Sequence, residues 1–261
     1  MNQKIPTFSI IIPVLNGEKH ILRTINSCLN QTQLPLEIIV IDDGSQDNTT
    51  EIIESLQNDL IVLIKNKTNQ GVSYSRNVGI HEARASWIMF LDADDSFHPN
   101  KIEIISYCIQ KNDRVGAMGH GFNLESDHVF IPSRSWKEHL LFSPISVTKE
   151  LLKNQMVTPS FTVSSNNGIL FNQNMLFAED HDFILRTVEM FPVYFLDMPL
   201  CSLGRIPLTK GGLSSNKWKM RKGEMSMYID YCKRHHKYFS MPFLLLFSLM
   251  KHIRNKVISV Q

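Results

Sequence analysis

No glycine-rich GxGxxG turn follows the first apolar run of this 261-residue chain, which disfavours a dinucleotide-binding domain of the dehydrogenase kind. There is no GxxxxGK[ST] phosphate loop and no GxSxG turn to expose a nucleophilic serine. Cysteine is sparse: Cys28, Cys108, Cys201 and Cys232 stand far apart, with no CxxC pair. That spacing argues against zinc and against a disulfide framework, and it points to a reducing compartment. No apolar run reaches the roughly 20 residues that span a bilayer. The opening Met-Asn-Gln-Lys-Ile-Pro leads directly into a strand-like run and reads as lacking a signal peptide. A cytoplasmic setting is therefore expected. Internal repeats and low-complexity tracts are also missing.

What is present is globular: 43% hydrophobic and 20% charged residues. The length suits one large α/β domain with extensions, or two small ones. Residues 8–15, Phe-Ser-Ile-Ile-Ile-Pro-Val-Leu, form a continuous apolar run, the pattern of a strand buried on both faces. Asn16-Gly17 breaks it, and Ile21, Leu22, Ile25 and Leu29 mark a helix. Strands are expected again at 36–41, 60–64 and 87–91. Helices are expected after Asp47, over 72–85, and from Pro99 onward. This alternation predicts βαβ units and a mostly parallel sheet covered on both faces. In such sheets ligands bind outside the carboxyl ends of the strands.

The second half is less regular. Strands flanking a turn at Ser126-Asp127 are expected within 117–131, and short helices at 135–142 and 148–154. A polar-then-apolar segment runs over 164–171, a helix begins near Glu179, and a strand covers 193–196. Residues 207–217, with Pro207 and Gly211-Gly212, read as a loop. Charge is divided unevenly. From Arg205 to Gln261 twelve Lys and Arg face two acids, whereas residues 1–204 hold fifteen against twenty-three. A basic carboxyl-terminal segment suits an anionic partner, or is simply a solvated face. It has aromatics (Trp218, Tyr228, Tyr231, Tyr238) but no RNA-module signature, so nucleic acid is not expected. Its apolar stretch 243–250 suits either an interfacial helix on an anionic membrane or a helix packed on protein.

Three acidic sets carry the chemistry. Asp92, Asp94 and Asp95 follow the apolar strand 87–91. Three crowded carboxylates repel unless a cation or hydrogen bonds relieve them. Hard Mg²⁺ or Mn²⁺ takes one or two carboxylates and completes its shell with phosphate oxygens and water. Helix capping is the plainer alternative, but one Asp suffices for a cap. Asp42-Asp43-Gly44-Ser45 reads alone as a turn. Paired with the first set, its acids suit hydrogen bonds from a base N–H or a ribose hydroxyl. Glu179-Asp180-His181-Asp182 opens a helix, where acids favour the dipole, and Asp182 is spaced to pair with Arg186. One acid there is free to act as a general base. His181 reads as a structural or surface histidine rather than a ligand.

Taken together these residues resemble the inverting GT-A glycosyltransferases of family two. The resemblance rests on Ser9–Asn16, Ile41–Asp47, Asn69–Ile80, Phe90–Asp95 and Glu179–Phe183, in the family's order. It implies a GT-A catalytic domain over 1–204, its nucleotide-binding half reaching about residue 116 and its acceptor half covering 117–204. Residues 205–261 would be a basic loop and helical extension. It further implies a nucleotide-diphospho-sugar donor, UDP above all, and Mn²⁺ or Mg²⁺. Pro13 and Asn16 would lie beside base and ribose. Asp43 would bond the base, with Arg76 near it. Asp92 and Asp94 match the DxD motif, Asp94 being the leading metal ligand and Asp95 a neighbour. Asp180 matches the catalytic base, with Glu179 beside the acceptor. The acceptor would be a glycan or a lipid-linked hydroxyl, met at the inner membrane face.

The chain departs from processive members of that family: it has no QxxRW motif. Arg205 and Lys210 stand where relatives carry a donor-covering loop, and could neutralise diphosphate. Two alternatives remain open. A nucleotidyltransferase of the same fold would carry a glycine-rich first loop in place of 13–16. A nucleotide-sugar-binding protein without activity would need no base at Asp180.

Overall fold

The computed structural model describes residues 5–124, 136–138, 140–205 and 216–258. Strands β1 (Phe8–Val14), β2 (Glu37–Asp42), β3 (Ile61–Lys65) and β4 (Trp87–Phe90) pair in parallel. Their order is β3-β2-β1-β4. Between them run helices α1 (Ile21–Leu29), α2 (Thr49–Ser55) and α3 (Val72–Glu82). The apolar runs become central strands because both faces are covered. Ile10, Ile12, Ile38 and Val40 pack with Ile21, Ile25 and Cys28 of α1 and with Ile102 and Ile105 of α4 (Lys101–Lys111). Ile11, Ile39, Ile41, Ile88 and Phe90 turn the other way, onto Phe183, Ile184 and Val188 of α6 (Glu179–Met190). Each such buried side chain contributes about 1.5–3 kcal/mol relative to an exposed one.

The sheet continues into the second half with mixed direction. β8 (Phe161–Ser164) joins β4 antiparallel, and β6 (Ala117–Leu124) joins β8 antiparallel. β9 (Val193–Leu203) runs parallel to β6, while β5 (Ser96–Phe97) and β7 (Phe142–Pro144) pair antiparallel with β9. Parallel pairing therefore dominates only the first half.

Several expectations are refined. Residues 135–142 were expected as a helix; a short 3₁₀ turn lies at Trp136–Glu138, and Phe142 already begins β7. Phe142 belongs to a strand edge because its ring meets Tyr194 of β9 at 5.7 Å. The strand expected at 193–196 extends to Leu203 through irregular pairing with β6. The turn expected at Ser126-Asp127 and the loop at 207–217, down to its last two residues, lie outside the described residues. The short helix expected at 148–154 is α5 (Val147–Leu152). Helices α7 (Lys217–Arg234) and α8 (Met241–Ile258) form a hairpin. Met227, Tyr228, Tyr231 and Cys232 of α7 pack on Leu185 of α6, with Leu244 of α8 against them.

An aromatic cluster fixes where α6 sits. Phe183 stacks on Phe171 at 4.1 Å and meets Phe90 edge-on at 5.6 Å. Phe183→Ala is expected to cost about 3–5 kcal/mol, because the pocket cannot collapse around the lost ring. Urea unfolding monitored by circular dichroism checks this; a loss below 1 kcal/mol would mean α6 is held by other contacts.

Candidate active site

The rim at the carboxyl ends of β1, β2 and β4 carries the acids. Val14 ends β1, and Asn16 follows with φ +52°, a left-handed turn that Asn tolerates. Asn16 Oδ1 accepts from Gln46 N at 2.8 Å, and its own N–H donates to Ser45 Oγ at 2.9 Å. The turns after β1 and β2 are thus tied to each other. Pro13 lies buried in β1 opposite Ile41. Gly44 takes φ +87°, and a Cβ there would press on the backbone of Thr68 and Asn69 at 3.2 Å.

Asp43 is almost fully buried. Its Oδ1 accepts from Asn66 Nδ2 (2.8 Å) and Gln70 N (3.0 Å), and its Oδ2 from Gly71 N (2.8 Å). It therefore holds the loop leading into α3. Asp42 also works locally, accepting from Ser45 N at 2.9 Å and Thr50 Oγ1 at 2.7 Å.

Arg76, on α3, was expected beside Asp43. Its guanidinium instead spans two other motifs. Nη2 donates to Asp92 Oδ1 at 2.8 Å and Nη1 to Glu179 Oε1 at 3.1 Å. The group is buried and lies over the Phe171 ring at 5.1 Å. Phe171 is pinned by Asn77, which donates to its carbonyl (2.9 Å) and accepts from its N–H (2.7 Å). Burial alone would lower the Arg76 pKa, but Asp92 and Glu179 outweigh it and the net shift is upward.

The three carboxylates after β4 differ. Asp92 is about one-third exposed and faces Arg76. Asp94 is partly exposed, and its Oδ2 pairs with Arg205 Nε at 2.8 Å. Asp95 is buried and accepts from Gly204 N at 2.9 Å. Burial, then the charge of Asp92, pushes its pKa up to about 8. The backbone of this turn is held from α1: Thr24 Oγ1 donates to the carbonyls of Ala93 and Asp95, both at 2.8 Å, and Arg23 donates to that of Asp94.

Across from them α6 opens on Ala178, whose φ of +59° is uncommon for a residue with a side chain. Burial, then Asp180, pushes Glu179 up to about 7, against the opposing pull of Arg76. Asp180 Oδ1 accepts from His181 N at 2.7 Å. Asp182 pairs with Arg186 at 2.8 Å, as its spacing predicts. His181 is buried, with Nε2 2.7 Å from the Glu150 carbonyl oxygen, in line with its structural reading.

The structure thus gathers Arg76, Asp92, Asp94, Asp95, Glu179 and Asp180 on one side of the rim. Pro13, Asn16 and Asp43 form a second set at β1 and β2. Arg23, Thr24, Phe171 and Gly204 escaped the sequence reading. Only Gly204 left a trace there, as a glycine closing a long apolar segment; a Cβ at that position would collide with the Asp94 carbonyl.

Among the described residues no three His, Cys, Asp or Glu side chains converge into a closed metal cage. The donor set still suits Mg²⁺ or Mn²⁺. These ions need one or two carboxylates beside phosphate oxygens, and Asp92 and Asp94, two residues apart, both keep part of their side chains exposed at the rim.

Comparison with known proteins decides the family. Residues 9–176 match the model of glycosyl transferase family 2. The chain belongs to this family. An uncharacterized glycosyltransferase of Haemophilus influenzae is 31% identical over 229 residues, covering 85% of this chain and 88% of that one. Another from the same organism is 33% identical over 190 residues, and the match covers 68% of this chain but only 59% of its length. The succinoglycan biosynthesis protein ExoO of Rhizobium meliloti is 30% identical over 180 residues, 69% of this chain and 46% of ExoO. The fold is that of S. aureus TarS, at TM-score 0.69 and 19% identity, over 95% of this chain and 72% of the TarS 1–349 structure. The protein is a glycosyltransferase with a GT-A fold.

Two predictions follow from the charges. Arg76→Met leaves Asp92 and Glu179 without their counter-charge and is expected to cost about 3–5 kcal/mol in urea unfolding. A cost under 1 kcal/mol would show the acids to be relieved otherwise. A carboxyl raised in the folded state binds its proton more tightly there than in the unfolded chain. Its contribution to stability therefore grows as pH falls from about 8 toward the ordinary carboxylate range. Asp95→Asn is expected to gain melting temperature relative to wild type at pH 8, with the difference shrinking by pH 6.5. A pH-independent difference would overturn the raised pKa.

Proposed function

We propose that the enzyme transfers a sugar from a nucleotide-diphospho-sugar, a UDP-sugar above all, to a glycan or lipid-linked hydroxyl, with inversion at the anomeric carbon. The observation that carries this reading is Arg76, whose two ion pairs join Asp92 on the donor side to Glu179 beside Asp180. The donor phosphates then meet the same rim as the acceptor hydroxyl. TarS, of the same fold, has been solved with UDP and with UDP-GlcNAc, which agrees with a uridine donor. ExoO, by its name, belongs to polysaccharide biosynthesis, which agrees with a glycan acceptor.

In this mechanism Pro13, Asn16 and Asp43 line the base and ribose. Asp180 takes the proton of the acceptor hydroxyl as that oxygen attacks the anomeric carbon. The bond from that carbon to the diphosphate oxygen breaks on the opposite face, through an oxocarbenium-like state. Asp180 Oδ1 is held by the His181 N–H, which leaves Oδ2 as the oxygen to take the proton. Glu179 orients the acceptor and Arg76 keeps it from drifting. Asp94 would hold Mg²⁺ or Mn²⁺, which would supply positive charge for the leaving diphosphate, while Asp92 faces the sugar and ribose. Arg205, already on Asp94, adds positive charge at the same end. The domain halves proposed from the sequence, 1–116 and 117–204, then correspond to donor and acceptor sides.

Asp180→Asn tests the central assignment. It is expected to keep the melting-temperature rise given by a UDP-sugar with Mn²⁺, while transfer falls by about 10²–10⁴. Transfer near the wild-type rate would remove Asp180 from the role. If no nucleotide-sugar raises the melting temperature of the wild type, the donor reading fails as a whole.

A further inference from the structure

Helix α8 turns one face inward and leaves the other bare. Inward, Leu244 packs on the α7 cluster, while Ser248 Oγ and Lys251 Nζ (2.6 Å) reach Glu224. His252 lies against the Trp218 ring at 5.0 Å. Outward stand Phe243, Leu246, Met250 and Ile253, three or four residues apart and hence on one stripe. Phe243 is 75% exposed and Ile253 62%, and Phe239, just before the helix, is 95% exposed. A contiguous row of large apolar side chains facing water marks a surface that something covers.

The surrounding charge says what covers it. From Tyr231 to Gln261 the sequence holds six Lys or Arg, three His and no acid. A second copy of this helix would bring two such segments together, without the opposite charges that flank paired apolar seams. Lipid phosphates supply the missing sign. No helix among the described residues is long and apolar enough to cross a membrane, so α8 is suited to lie along a bilayer rather than through it.

We propose that α8 docks flat on an anionic bilayer, its Phe239–Ile253 stripe entering the interfacial layer and the exposed Lys233 and Lys237, just before the helix, meeting lipid phosphates. The hairpin packs through α7 on α6, the helix that begins with Glu179 and Asp180. Docking would therefore bring the acceptor side of the enzyme to a lipid surface. That consequence rests on the transferase reading; the docking itself does not.

Flotation of the full chain with vesicles of phosphatidylglycerol and phosphatidylcholine in equal parts tests the proposal. The chain is expected to float with them, about tenfold more weakly with phosphatidylcholine alone or in high salt. The variant Phe243→Ser, Leu246→Ser, Ile253→Ser is expected to lose about tenfold in vesicle binding. It should keep its circular dichroism spectrum and its melting response to UDP-sugar. Failure of the wild type to float overturns the proposal, as does equal binding to both vesicle types. A dimer in light scattering that the triple variant dissolves, without flotation, assigns the stripe to a second copy instead. A wild type that floats yet shows no response to any UDP-sugar keeps the docking and removes the donor reading.

Discussion

The site is organised by one buried guanidinium. Arg76 stands, buried, between a carboxylate at the end of β4 and another at the start of α6, and it answers both with one charge. The sheet delivers Asp92, the aromatic cluster delivers Glu179, and the Phe171 ring supports Arg76 from below. Asn77 in turn fixes Phe171 through both its backbone groups. α3 thus supplies the counter-charge and the clamp from adjacent residues. Because the Glu179 pair joins residues 103 apart in the chain, the charges of the β4 turn and of α6 are balanced only when both are in place.

Much of this was legible in the sequence, and the reasons are physical. Strands buried on both faces write themselves as apolar runs, so β1, β2, β3 and β4 were located to within a residue. The polar sets at their ends were legible because a parallel sheet brings all its carboxyl ends to one rim. The second half was harder. β5 is two residues long and β7 three, too short for any period to show. Phe142 was read into a helix because nothing local distinguishes an aromatic at a strand edge from one on a helical stripe. Arg76 was expected near Asp43, whereas its guanidinium pairs with Asp92 and Glu179. Which carboxylate a cation faces depends on the stacking of α3 and α6 over the sheet, and spacing along the chain does not contain that.

The acids at the rim also show how differently one residue type can be employed. Asp42 and Asp43 are structural acceptors, filled by backbone and side-chain donors of their own loops. Asp94 pairs with the half-exposed Arg205. Asp95 is buried so close to Asp92 that a proton is its easiest partner. A charge count over 92–95 would treat the three as equivalent, whereas burial sorts them into distinct duties.

Asp43 has a consequence for how rigid the rim is. It gives one oxygen to Asn66 and Gln70 and the other to Gly71, each bond to a charged acceptor contributing roughly 1.5–3 kcal/mol. A carboxylate so committed to its own loop cannot drift without unseating α3 and, with it, Arg76. Asn16 and Ser45, by contrast, tie only one turn to the next and can shift without moving a helix. The rim therefore has a stiff side and a yielding side, and the stiffness is set by a single carboxylate two strands away from the guanidinium it steadies.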